Sequence, residues 1–182
     1  MNSRRNFLKT ATGTAALLLA PSVLAKSAQP KLVQPAERVL RLQNLHTGES
    51  LKATYWAEGR YIAEELTALN RVLRDHRSNE TYTMDQHLFD MLHLLQQQLA
   101  SNGTYHVISG YRSPKTNAIL NSKSSGVAKR SLHMQGRAID IRLPGVELKH
   151  LRQAALDLKA GGVGYYPRSG FIHVDTGRTR FW

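Results

Sequence analysis

Two short segments decide the fold, residues 138–143 (Ala-Ile-Asp-Ile-Arg-Leu) and residues 171–175 (Phe-Ile-His-Val-Asp). Apolar residues alternate with other residues in both, and successive side chains of a strand point to opposite faces of a sheet. We therefore predict two strands whose isoleucines, leucine and valine enter the core. The opposite face would carry Asp140, His173 and Asp175. If the two strands are neighbours, Asp140 and His173 lie side by side.

The rest of the chain supplies helices before strands. Apolar residues at helical spacing predict three amphipathic helices, over residues 60–76, 85–100 and 148–158. A hairpin is expected between residues 39 and 56, with further strands over residues 105–109 and 163–166. Because helices and strands do not alternate regularly, the pattern indicates an α+β domain with an antiparallel sheet and flanking helices.

His133 lies in the loop before the first of these strands, within reach of the face that carries Asp140 and His173. Two imidazoles and one carboxylate around an open fourth position are typical of a catalytic zinc site. Spacing alone leaves other interpretations open, because packed or surface histidines and solvated Asp–Arg pairs are commoner. The other six histidines show no ligand-like grouping and are interpreted as surface or structural residues: His46, His76, His87, His93, His106 and His150.

The first 25 residues have the features of an export signal: a basic start, a short apolar run and a small-residue pattern at its end. Arg4-Arg5 followed by Phe7-Leu8-Lys9 resembles the twin-arginine signal, and an ordinary export signal with a chance arginine pair is the alternative. The apolar run is too short for a stable membrane helix of about 20 residues. We therefore predict an export signal over residues 1–25, a linker over residues 26–37, and one folded domain over residues 38–182.

The composition limits the partners and the ligands. The net charge is +12, and the predicted signal holds three basic residues and no acid, so the remainder carries +9. A basic surface favours polyanions, although export makes nucleic acid the least expected of them. The chain contains no cysteine. Disulfides are therefore excluded, and any zinc site must use His, Asp or Glu ligands.

One motif carries a family resemblance. The pattern Ser131-x-His133-x-x-Gly136-x-Ala138-x-Asp140 matches the signature of zinc D-Ala-D-Ala-type peptidases, the M15 family. Residues 109–113 (Ser-Gly-Tyr-Arg-Ser) and 171–173 (Phe-Ile-His) are similar to two further segments of that family. The resemblance implies a fold like that of hedgehog and D-Ala-D-Ala peptidases. It also implies one Zn²⁺ ion with three ligands, namely His133, Asp140 and His173.

Three other segments extend the resemblance to one branch of the family, the murein endopeptidases. They are residues 45–50, 126–129 and 161–169, and with the export signal they cover nearly the whole chain. The resemblance implies a periplasmic enzyme that cleaves peptide cross-links of peptidoglycan at bonds next to meso-diaminopimelate. We expect a monomer that binds peptidoglycan peptides, with no nucleic-acid partner and no membrane span once the signal is removed.

Further site residues follow from the motifs. We expect Arg112 to stabilise the oxyanion or to bind a substrate carboxylate, and Ser131 and Tyr166 to contact substrate, with core packing as the alternative for the tyrosine. The family usually places a glutamate shortly before the last histidine ligand, but here the only glutamate after residue 80 is Glu147. Asp175 is therefore the candidate for the general base, or for a carboxylate that orients a ligand.

Two other functions compete with hydrolysis. The missing glutamate favours a module of the same fold that binds peptidoglycan without cutting it. The basic charge favours a protein that binds nucleic acid or membrane, but the export signal and the lack of a basic-aromatic stripe argue against this.

Overall fold

The computed structural model describes residues 37–123 and 126–182, so the predicted export signal and nearly all of the predicted linker lie outside the described residues. Within these ranges eight strands form: β1 (Glu37–Asn44), β2 (Ser50–Ala57), β3 (Arg60–Tyr61), β4 (Tyr105–Ser109), β5 (Ala138–Arg142), β6 (Gly162–Tyr166), β7 (Phe171–Asp175) and β8 (Arg180–Phe181). The same ranges contain four α-helices and one 3-10 helix: α1 (Ala63–Val72), α2 (Gln86–Gln98), α3 (Pro114–Lys123), α4 (Leu148–Leu158) and the 3-10 helix Leu132–Gln135.

The eight described strands join in one sheet with the order β3-β2-β1-β4-β5-β7-β6-β8. The prediction of an α+β domain is confirmed, but the sheet is mixed and not wholly antiparallel. β1 is parallel to β4, and β6 is parallel to β8. Parallel neighbours need a long crossover between them, and the chain between β1 and β4 includes β2, β3, α1 and α2.

Helices α1, α2 and α4 cover one face of the sheet and form the core with it. The leucines of α1, α2 and α4 pack there against the isoleucines of β5 and the Ile172 and Val174 side chains of β7. Ile139, Ile141 and Ile172 are completely buried, and each such side chain stabilises the fold by about 2 kcal/mol. Because strand side chains alternate, Asp140 and His173 lie on the other face, as predicted.

Two short strands were not predicted, and one of them changes a helix boundary. Arg60 and Tyr61 pair with β2 as strand β3, so α1 begins at Ala63 and not at residue 60. β8 pairs with β6 near the carboxyl end of the chain. β1 begins at Glu37, the last residue of the predicted linker. Among the described residues, the helices are all too short or too polar to cross a membrane.

Candidate metal centre and active site

His133, Asp140 and His173 meet on the sheet face opposite α1, α2 and α4. β5 and β7 are antiparallel neighbours, and Asp140 pairs directly with His173 in their register. The Asp140 Oδ1 atom lies 2.9 Å from His173 Nδ1 and 3.3 Å from His133 Nε2. All three residues are buried, and their ligand atoms lie within 4.8 Å of one another. In the described part of the chain they are the one group of three such residues.

The 3-10 helix holds His133 over the end of β5. The Ser131 hydroxyl caps this helix by accepting a hydrogen bond from the His133 amide at 3.3 Å. Gly136 ends the helix with a left-handed φ of 66°, a conformation that glycine adopts without steric cost. The Arg112 amide donates to the His133 carbonyl at 3.2 Å. These local contacts explain why serine and glycine occur at these positions of the motif.

The far nitrogen of each histidine ring is occupied by an acceptor. His133 Nδ1 lies 2.7 Å from the Gly110 carbonyl oxygen, and His173 Nε2 lies 3.0 Å from Asp175 Oδ2. Each of these nitrogens must carry the ring hydrogen, because neither partner can donate one. In the neutral rings, the lone pairs of His133 Nε2 and His173 Nδ1 therefore face each other at 3.2 Å. The donor set thus fits a cation, which all three lone pairs can bind.

The charges around this point favour a bound cation. Burial acts to raise the pKa of the Asp140 carboxyl, but the imidazoles of His133 and His173 hold that pKa below its ordinary value. Burial acts to lower the pKa of His173, yet the carboxylates of Asp140 and Asp175 outweigh it and raise that pKa. The negative charge of Asp140 is therefore kept in a buried place, where it requires positive neighbours.

The three residues line an open cavity of about 360 Å³. Its walls also carry polar side chains beside the three potential metal ligands, among them Arg112, Arg130, Ser131 and Tyr166. The sequence predicts three of these four as site residues, and Arg130 is the fourth. Within the described ranges, Asp140 is the only carboxylate on these walls. The segment 126–128 completes one side, and α3 holds this segment through hydrogen bonds from Asn side chains to backbone carbonyls.

Arg112 points into the same site. Its Nη2 atom lies 3.9 Å from Asp140 Oδ2 and 3.3 Å from the Ser109 hydroxyl. Burial lowers the pKa of the guanidinium, and the charge of Asp140 opposes this effect. In the described structure its Nε is buried without a hydrogen-bond partner. Because Arg112 also lines the cavity, other N–H groups of its guanidinium are placed to donate to a group that enters it.

The loop that carries Arg112 is fixed by a carboxylate that the sequence analysis missed. Asp75 is 1% exposed and accepts hydrogen bonds from the amides of Ser113 and Arg77, both at 2.9 Å. Burial acts to raise its pKa, but these hydrogen bonds and the hydroxyls nearby hold the pKa well below its usual range. The sequence places Asp75 in the last turn of the helix predicted over residues 60–76, whereas α1 ends at Val72, so the sequence gives no signal for such a role.

Asp175 lies behind His173 and not on the cavity wall. It is completely buried, and its oxygens accept from the His173 ring and from the amides of Gly162 and Gly177. The Arg180 guanidinium pairs with both oxygens, at 3.0 and 2.7 Å. The carboxylate contacts the edge of the imidazole opposite to the one that faces Asp140. This position suits orientation of the ring.

Arg180 and Trp182 are two site residues that sequence reasoning missed. Both line the cavity, and the Trp182 indole Nε1 donates to the Tyr166 phenol oxygen at 2.8 Å. One signal was available, because β6 has glycine at alternate positions 162 and 164. Glycines inside a strand often mark the close approach of another group.

A mixed sheet that presents two imidazoles and a carboxylate to an open cavity is an arrangement suited to a metal-dependent hydrolase. Comparison with known proteins narrows this class to the peptidases. The family described as "Peptidoglycan L,D-endopeptidase MepK" (Peptidase_M15_2) matches residues 33–182.

Two curated relatives cover nearly the same part of the chain. Peptidoglycan L,D-endopeptidase MepK of Escherichia coli (strain K12) is 48% identical over 164 residues, which are 90% of this chain and 90% of that protein. Probable peptidoglycan L,D-endopeptidase MepK of Haemophilus influenzae is 41% identical over 167 residues, 91% of this chain and 90% of that protein. The chain therefore belongs to the Peptidase_M15_2 family, and the resemblance to M15 peptidases is confirmed.

Proposed function

We propose that this protein is a zinc-dependent endopeptidase of the periplasm, which hydrolyses peptide cross-links of peptidoglycan at a bond next to meso-diaminopimelate. One observation carries the proposal: His133 Nε2, Asp140 Oδ1 and His173 Nδ1 converge within 4.8 Å. Membership of a family described as peptidoglycan L,D-endopeptidases supports the substrate class.

The three ligands and their neighbours divide the chemistry. His133, Asp140 and His173 would hold the zinc ion, which when bound would supply a Lewis acid for activation of water and polarisation of the scissile carbonyl. The Gly110 carbonyl and Asp175 keep both ring hydrogens away from the ion, so that each imidazole presents a lone pair. This arrangement requires no change of tautomer when the metal binds.

Arg112 acts on the substrate. Its guanidinium lies beside the ligand set, and it stabilises negative charge on the carbonyl oxygen or binds a substrate carboxylate. Ser131 and Tyr166 line the same cavity and contact the peptide. Arg180 on the same walls is already paired with Asp175, whereas Arg112 lies beside the metal-ligand residue Asp140.

Asp175 is assigned to positioning and not to proton transfer from water. Its two oxygens already accept five hydrogen bonds, and no part of the residue is exposed. A general base must come within hydrogen-bond reach of the water that it deprotonates. The buried position therefore favours the second role considered for this carboxylate, which is to orient His173.

The cellular location is part of the proposal. Residues 1–25 act as a twin-arginine export signal, residues 26–36 as a linker that ends where β1 begins, and the protein works in the periplasm, where peptidoglycan lies. The net charge of +9 that remains without the predicted signal favours an anionic wall polymer over a neutral one. Replacement of Arg4 and Arg5 by lysine should abolish export of a fused reporter, and undiminished export would contradict this route.

Digestion of purified peptidoglycan tests the function. The protein should release cross-linked peptides as monomers, and a chelator should abolish the release until zinc is restored. The competing function is a peptidoglycan-binding module, which is favoured because the described residues place no second carboxylate on the cavity wall. Binding to the wall without any released product, at every zinc loading tested, would establish that module and exclude the peptidase.

A further inference from the structure

β8 lies beside β6 at the edge of the sheet, and Arg180 and Trp182 extend from it across β6 toward β7. Arg180 reaches Asp175, and the Trp182 ring centroid lies 5.3 Å from that of His173. Phe181, between them, is 71% exposed and lines a separate apolar cavity beside α4. The alternation of a strand therefore places the two neighbouring aromatic rings on opposite faces.

Gly164 gives the indole of Trp182 its place. Gly164 pairs with His173 across the neighbouring strand. A Cβ atom at this glycine would lie 2.8 Å from the indole ring of Trp182, well inside the contact distance of carbon atoms. Glycine weakens a strand interior, so its presence here is explained by the ring that lies over it. The glycine in β6 thus leaves the space that the indole occupies.

Three contacts fix this indole beside the cavity. Its Nε1 donates to Tyr166, the Arg180 guanidinium lies 4.9 Å from the ring centroid, and the Trp182 backbone pairs with β6. Nevertheless the residue is 47% exposed, and it lines the cavity that contains the ligand set. A fixed and half-exposed aromatic ring is a surface suited to the apolar part of a ligand.

The same contact orients Tyr166. A phenol oxygen that accepts a hydrogen bond from an indole keeps its own hydrogen to donate. The ring of Tyr166 also stacks on Phe171, at 4.7 Å between centroids. With Arg112 and Arg130 on the walls as well, the cavity combines an apolar face, an O–H donor and two cations. This combination matches a peptide with an aliphatic side chain and carboxylate or carbonyl oxygens.

We propose that Trp182 is a positioning residue that determines which peptides are cleaved. Its indole packs on the methylene chain of the diaminoacyl residue next to the scissile bond. Through Nε1 it also directs the Tyr166 O–H toward an oxygen of the same peptide. The proposal rests on the proposed function, because it concerns the substrate of that site.

Tryptophan fluorescence tests the contact directly. The chain has two tryptophans, so Trp56→Phe leaves Trp182 as the only one, and Trp56 packs under Arg38 outside the cavity. Stopped-flow mixing of this variant with a purified cross-linked muropeptide dimer should change the Trp182 emission saturably, before product appears. A constant emission during rapid cleavage would overturn the proposal and leave the proposed function intact.

Kinetics with a matched control test the effect on the reaction. Trp182→Ala should lower kcat/KM about tenfold with full zinc content, because an aromatic contact and the orientation of Tyr166 are lost. Trp182→Phe should lose less, about threefold, since it keeps a ring without the donor. Phe181→Ala, on the opposite face of β8, should stay within about twofold. Equal losses of kcat/KM in Trp182→Ala and Phe181→Ala would contradict the proposal, because they would mean that β8 only stabilises the sheet.

A double-substitution cycle tests whether Gly164 affects activity only through the position of the Trp182 indole. Gly164→Ala should displace the indole and cost about as much activity as Trp182→Ala. In the Trp182→Ala background, Gly164→Ala should cost nothing further, because the ring that it displaces is gone. Additive losses would show that Gly164 is needed for another reason and would contradict the proposal. If the parent protein binds zinc but does not cleave the dimer, the proposed function fails, and the emission change alone decides the role of Trp182.

Discussion

His46 and His76 stack face to face, with ring centroids 3.8 Å apart and planes 11° from parallel, whereas His133 and His173 meet at 5.0 Å with planes 65° apart. In the first pair, ring faces are in contact. In the second pair, two nitrogen atoms face each other at 3.2 Å, with Asp140 close to both. Only the second pair belongs to a group of three potential metal ligands within the described residues.

The surroundings of the two pairs differ as much as their geometry. Burial first, and then the positive charges of His46 and Arg77, lower the pKa of His76 to about 4. Two carboxylates act in the opposite direction on His173. Contact between two imidazoles is therefore not enough to make a metal site. The carboxylate between the nitrogens, and the acceptors behind each ring, make the difference.

The largest expected effect comes from removing a ligand. His133→Ala should lose bound zinc and reduce muropeptide cleavage by about a thousandfold or more, because metal activation supplies several kcal/mol of the catalysis. His46→Ala is the matched control, since it also removes one ring of a histidine pair and should keep zinc and activity. Zinc content and product release measure both variants. Stoichiometric zinc and normal cleavage in His133→Ala would end the ligand assignment.

Substitution of Arg112 tests whether the positive charge beside His133 and His173 acts in the reaction. Arg112→Ala should lower kcat about a hundredfold, as expected when one donor to a developing oxyanion is removed, and zinc content should not change. Arg142, which follows Asp140 on β5 but is exposed, provides the control Arg142→Ala with activity near that of the parent. A rise in KM at constant kcat would instead assign Arg112 to substrate binding.

Asp175 tests the acceptor behind one ring. Asp175→Asn should weaken zinc affinity about 10- to 100-fold. The neutral amide accepts a hydrogen bond from the His173 ring less strongly than a carboxylate does, and it does not balance the charge of Arg180. Asp90 is a comparable carboxylate away from the site, bound by Arg38, Tyr55 and Tyr61. Asp90→Asn should lower thermal stability without changing zinc affinity. Equal zinc affinities in the two variants, measured by competition with a chelator, would contradict the positioning role.

The ligand set could be predicted from sequence because its residues lie in periodic strands and a specific motif. Alternation in two segments placed Asp140 and His173 on one face, and the motif added His133. The stack of His46 on His76 could not be predicted, because it joins a hairpin turn to the turn that follows α1 through tertiary packing alone. The role of Trp182 was missed for a related reason. β8 is a two-residue strand, too short to have a periodicity, and only the glycines opposite it in β6 indicate what it packs against.

The smallest expected effect concerns the stability of the stacked pair. The folded-state pKa of His76, about 4, lies below its ordinary value of 6.5, so the unfolded chain binds more protons between these pH values. The free energy of unfolding should therefore fall as the pH decreases from 6.5 toward 4, with no contribution from His76 above that window.

Replacement of either ring sharpens this last test. His76→Phe keeps an aromatic ring for the stack and removes the group that binds a proton. Between pH 7 and pH 5, the free energy of unfolding of this variant should therefore fall by about 1 kcal/mol less than that of the parent protein, after allowance for solvent screening. His46→Phe should give an intermediate slope, because burial of His76 remains while one positive charge is gone. Urea unfolding at the two pH values measures all three proteins. Parallel pH dependences would mean that His76 is protonated as easily in the folded as in the unfolded chain, and that the stack, unlike the metal centre, imposes no charge state on its rings.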